Sequence, residues 1–179
     1  EEIKHAIPLL GESGLIFSQA LLSNKTQAAG YQLKDGDIPF SIMNTFQKAL
    51  QLSSDMSDMH SSINQLNFSK LGVVKYKQHL LEIMKNSSNT LCLVQTYKKR
   101  VKHLIDISSA NRKVVVCGII AQVFFEYALN ISGIHFGKES IFVFDGKEIN
   151  VLYVEHPSPK NKNTHWTPIH NNAKYLTLT

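Results

Sequence analysis

The residues best suited to chemistry lie in one short run, 151–160, which reads VLYVEHPSPK. An apolar stretch fit for a buried strand passes through Glu155 into His156, and Pro157, Ser158 and Pro159 follow at once. Two prolines fix φ and reduce the entropy lost when the loop orders, while Ser158 keeps an N–H and a hydroxyl available to a phosphate oxygen. The plainer alternative is a surface turn that happens to carry a histidine.

Open parallel sheets bind ligands beyond the carboxyl ends of their strands. Two more expected strand ends therefore matter. Gly11, Glu12, Ser13 and Gly14 close a first strand and lead into Leu15, Ile16, Phe17 and Ser18. An apolar run at 91–94 ends in Gln95, whose amide both donates and accepts hydrogen bonds. Glu12 is either a group facing that edge or a surface carboxylate, and Phe17 either an accessible aromatic face or ordinary core packing. Lys98, Lys99, Arg100, Lys102 and His103 begin just after Gln95. They form either a phosphate-contact surface, extended by Lys160 and Lys162, or a solvated helix face. His60, His79, His135, His165 and His170 have no metal-ligand spacing, so no metal and no cofactor are expected.

The elements that would position these groups follow from periodicity and turn signals. Residues 5–11 suit a short strand, and 22–39 a long polar loop. Ser41 is placed to cap a helix over 41–52, and the polar stretch 53–67 is expected to be a loop containing a short helix. A helix over 70–84 carries Val73, Tyr76, Leu80, Leu81 and Met84 on its apolar face. Residues 89–95, NTLCLVQ, are expected as a buried strand, followed by a helix over 97–107 and a strand over 113–117. Gly118 then punctuates the chain before a helix over 119–129. Residues 141–144 and 148–155 form a hairpin about Asp145-Gly146. Strand, turn and helix recurring with fully apolar strands predict a three-layer α/β/α fold with a central, mostly parallel four-stranded sheet.

The 179 residues suit one domain spanning 1–179, and 43% hydrophobic with 18% charged residues fits a globular chain. The apolar runs are too short to span a bilayer, and the first residues do not resemble a signal peptide, so an intracellular place, cytoplasmic or nuclear, is expected. Cys92 and Cys117, both in strand-like runs, are expected to be buried and reduced. A net charge of +5 favours a polyanionic partner without defining one.

With these residues in view, a family resemblance becomes specific. His156-Pro157-Ser158-Pro159 resembles the HPSP motif of the uracil-DNA glycosylase superfamily. Residues 114–122, VVVCGIIAQ, resemble the strand–Gly–helix segment that precedes that motif, and Gly14 to Ser18 is similar to the family's GLxFS segment. The C-terminal likeness covers about a third of the chain; the N-terminal one is short. The resemblance implies a monofunctional glycosylase acting as a monomer on DNA that contains uracil or another deaminated base. It implies that His156 stabilises charge developing on the uracil O2 and that Phe17 stacks on the extruded base. It further implies that Pro157, Ser158 and Pro159 compress the DNA backbone, with Gly118 also at the DNA, and that Lys160 wedges into the duplex. Glu12 falls where the family activates water, in a segment lacking the family's proline. Gln95 falls where the family reads the base with Asn. Two cysteines cannot supply the four ligands of an iron–sulfur cluster, which some branches carry.

Overall fold

The computed structural model describes residues 57–107, 112–135 and 137–156, together with Leu15, Ser18, Gln27 and Met43. The expected strand over 5–11 and loop over 22–39 lie outside these residues, Gln27 excepted. Of the expected helix over 41–52 only Met43 is described; it is not helical, and it packs against the core.

In chain order the elements are α1 (Ser57–Gln65), α2 (Phe68–Asn86), α3 (Thr90–Ile107), β1 (Lys113–Cys117), α4 (Ile119–Leu129), β2 (Glu139–Phe144) and β3 (Lys147–Val154). Helix α1 buries Met59 and Ile63, one turn apart, and is the short helix expected in the polar stretch. Asn67 caps α2, its side-chain oxygen accepting from the Lys70 N–H at 3.1 Å. Tyr76, Leu80 and Met84 repeat every four residues on the buried side of α2. Val73, expected on that face, is half exposed, because Gly72 (φ 69°, ψ 169°) kinks the first turn and resets the phase.

The expected buried strand over 89–95 is corrected: Asn89 lies in a turn and 90–95 belong to α3. Thr90, Tyr97, Val101 and Ile105 are its buried positions, with Leu93 and Val94 partly buried between them. That spacing has the helical period, and it turns Leu91 and Cys92 out to solvent. The short turn after α2 fixes the start: the Ser87 N–H bonds to Ile83 O, and the Thr90 hydroxyl donates to Met84 O. Cys92 is accordingly exposed, not buried.

The sheet also departs from expectation. Among the described residues it has three strands in the order β1-β3-β2, with β1 parallel and β2 antiparallel to β3. It is an open mixed sheet and not a four-stranded, mostly parallel one, because one expected strand is helical and the hairpin adds an antiparallel edge. The hairpin itself is as expected. Asp145 (φ 52°) and Gly146 (φ 73°) are both left-handed, the combination that makes a two-residue turn match strand twist. Along β2 exposure alternates, leaving Ile141 and Val143 about two-thirds exposed, whereas β3 buries Ile149, Val151, Leu152, Tyr153 and Val154.

Helix α4 is the hub. It packs on β1 and on both α2 and α3, burying Val123, Phe124, Phe125, Ala128 and Leu129. Edge-to-face contacts tie it to α3 (Tyr97 with Phe124, centroids 5.2 Å apart) and to β3 (Phe125 with Tyr153, 6.2 Å). The Tyr153 hydroxyl is buried without a hydrogen bond of normal geometry, and burial raises its pKa. Among the described residues no helix is long and apolar enough to cross a membrane.

Candidate functional site at the carboxyl edge of the parallel pair

Strands β1 and β3 run side by side in register, Cys117 opposite Val154, so the residues that follow each emerge at the same edge. One further rung closes the pair beyond the strands, with the Gly118 N–H donating to Val154 O at 2.8 Å. Two residues after Val154 comes His156. Its backbone and Cβ stand against Gly118: a Cβ added to the glycine would lie 3.0 Å from His156 Cβ and 3.7 Å from its Cα. A side chain here would crowd the His156 Cβ at the neighbouring strand exit, and the positive φ of residue 118 favours glycine as well.

His156 is exposed overall, yet the part of its ring against the strand ends is desolvated, which lowers its pKa. The imidazole is therefore neutral at pH 7, with one ring nitrogen a donor and the other an acceptor. Helix α4 opens at the same edge. Its first intrahelical bond runs from the Gln122 N–H to Gly118 O, so the amides of Ile119, Ile120 and Ala121 precede the hydrogen-bonded ladder. Cys117, on the last β1 position, is partly buried, and burial pushes its thiol pKa up to about 12. It is an inert packing group, not a nucleophile.

Of the residues the sequence singled out, Gly118 and His156 come together. Gln95 does not join them as a strand-end residue: it lies in the first half of α3 with its side chain exposed. Glu12, Phe17, Pro157, Ser158, Pro159 and Lys160 lie outside the described residues. Leu15 and Ser18, either side of Phe17, are helical, and Ser18 is fully buried.

The basic cluster is on α3 as expected, but part of it works at the other end of the sheet. Lys102 pairs with Asp145, in the hairpin turn from which β3 starts, and lies 3.7 Å from Asp106 one helical turn on. Lys147 Nζ reaches Asp106 Oδ1 at 2.6 Å. These four side chains clamp α3 to the hairpin, and the hydrogen bond from Lys147, with Lys102 nearby, holds the Asp106 carboxyl below its ordinary value. Sequence reading missed the clamp. Only the Lys102–Asp106 spacing of four hinted at it, because the other partners are more than forty residues apart. Arg100 is half-buried beside Tyr97, and burial lowers its pKa. Lys98, Lys99 and His103 are exposed and, unlike the exposed Lys102, lie outside the clamp.

A separate concavity of about 580 Å³ opens between α1 and α2, lined by Asp58, Ser62, His79, Glu82 and Asn86 among others. His79 Nδ1 stands 3.5 Å from Glu82 Oε2 there. Among the described residues no three His, Cys, Asp or Glu side chains are grouped to hold a metal ion. Comparisons with protein-family models, with curated proteins and with solved structures find no match for this chain.

Proposed function

We propose that this protein is a monofunctional DNA glycosylase that hydrolyses the N-glycosidic bond of uracil, or a related deaminated base, in DNA. The observation that carries the reading is His156 itself. A neutral imidazole leaves a buried parallel strand at the ligand-binding edge, is seated against Gly118, and continues into Pro157-Ser158-Pro159. The helix that opens beside it offers first-turn amides, a favourable neighbour for an anionic backbone.

The chemistry is dissociative. The bond from the sugar C1′ to the base nitrogen breaks, its electron pair leaving with the base, and an N–H of His156 stabilises the negative charge that develops on the base oxygen. A water held by Glu12 adds to the oxocarbenium-like C1′ and gives its proton to that carboxylate. No lysine attacks the sugar and no Schiff base forms. Extrusion of the base costs a few kcal/mol, least in single-stranded or mispaired DNA, and stacking on Phe17 offsets it. The enzyme acts as a monomer, and Lys160 occupies the space the base vacates.

A second reading, a glycosylase-like scaffold that binds DNA or a protein without cleaving, has one observation in its favour. Gln95 stands on an exposed helical face, so the base-reading amide has no candidate at a described strand end. A labelled-oligonucleotide assay separates the two. Uracil released from single-stranded or U:G substrates, and lost in His156→Leu, supports the enzyme. Good DNA binding with no excision on either substrate supports the scaffold.

A further inference from the structure

We propose that Gly118 is a positioning residue for His156, its missing side chain being the space that fixes where the histidine stands. Gly118 has φ 88° and ψ 154°, a region that glycine alone adopts readily. It is pinned on both sides, its N–H held by Val154 O and its carbonyl accepting from the Gln122 N–H. Neither strand β3 nor helix α4 lets it retreat. An added Cβ would press on His156 Cβ at 3.0 Å, Cδ2 at 3.6 Å and Cα at 3.7 Å. The tight contact is the one with Cβ, the root of the side chain, which has to give by a few tenths of an ångström and carries the ring with it; Cδ2 and Cα stand at ordinary contact distance.

The other described glycines of positive φ sharpen the point. Gly72, Gly133, Gly137 and Gly146 also need that backbone geometry, but an added Cβ at any of them meets nothing within 4 Å. Conformation accounts for those four; at Gly118 conformation and close approach coincide. The catalytic consequence rests on the glycosylase reading, whereas the geometric one stands without it. A catalytic group displaced by about 1 Å costs on the order of 100-fold in rate, and a shift of a few tenths correspondingly less. The loss falls on kcat, because His156 acts on charge that appears only as the bond breaks.

The test compares Gly118→Ala with Gly133→Ala, which carries the same type of backbone strain (φ 84°) in open space. Ring resonances of His156 in histidine-labelled protein, assigned through His156→Gln, report its position without reference to activity. Gly118→Ala is expected to move those resonances and to lower kcat up to roughly 10-fold with KM little changed; Gly133→Ala is expected to do neither. Unmoved resonances in a folded Gly118→Ala protein would overturn the positioning role, whatever the activity. Moved resonances in a protein whose wild type excises nothing would uphold the geometric role and defeat the glycosylase reading. Should Gly118→Ala fail to fold, combining it with His156→Gly removes the opposing Cβ. Recovery of folding then supports the contact, and failure to recover it overturns the proposal.

Discussion

The two ends of the β1–β3 pair are built on different principles. At the carboxyl end, two backbones close on one another with no side chain between them, and Gly118 is held by hydrogen bonds fore and aft. At the amino end, four half-exposed charged side chains bridge α3 and the hairpin turn. Long flexible side chains in water hold elements together loosely and cost side-chain entropy to order, so such pairs contribute little stability each. Backbone contacts of near van der Waals distance tolerate almost no change. The end that carries the proposed chemistry is thus the rigid one, as a site that must place an atom to within a fraction of an ångström requires.

The largest difference expected between the ends is in protection. Cys117 closes β1 beside Gly118, partly buried and with its thiol pKa pushed up to about 12 by burial, while Cys92 is exposed on α3. In native protein a thiol reagent is expected to modify Cys92 quickly and Cys117 at least ~10³-fold more slowly, as peptide mapping over time would show. Comparable rates would mean that the carboxyl edge opens readily. Next in size is the turn at the opposite end. Gly146→Val places a β-branched residue at φ 73° and should cost about 1–2 kcal/mol in urea denaturation, leaving excision unchanged. A parallel fall in kcat would show that the two ends are coupled.

The smallest effect is that of the charge clamp. Asp106→Asn should lower the melting temperature slightly, and the loss should vanish at high salt. The sign with pH is fixed by the depressed Asp106 pKa: its contribution is fully present above the unfolded carboxylate value near 3.8 and is lost as pH falls through the lower folded value. His156 acts in a different window. Because its folded pKa lies below the unfolded 6.5, the native state resists its protonation, and stability declines as pH drops below 6.5. A melting-temperature profile of wild type, His156→Gln and Asp106→Asn across pH 3 to 8 would assign the two steps.

What the sequence revealed was uneven in an instructive way. Helix α4, strand β1 and the Asp145-Gly146 hairpin were legible because Gly118 and the turn residues punctuate them chemically. Gly118 and His156 were each visible as the residue after an apolar strand, and parallel pairing brings them together. The segment 89–95 misled, because the short apolar run at 91–94 fits a buried strand and a helix equally well. Only its continuation through Tyr97, Val101 and Ile105 carries the helical phase, and reading a break at Gln95 hid it. With that strand gone, the expected place of Gln95 at the site went too. The Lys102–Asp145 pair was beyond reach, since contacts between distant exposed charges leave no local pattern in a sequence.

The glycosylase proposal is tested most directly by uracil release from a labelled oligonucleotide, single-stranded and as a U:G mispair, by wild type and His156→Leu. The proposal predicts release by wild type and a fall of about 10²- to 10³-fold in the variant, the usual cost of losing one donor to developing negative charge. His156 is exposed, so the two proteins should melt at nearly the same temperature. A wild-type protein that binds both substrates and releases no uracil from either would contradict it.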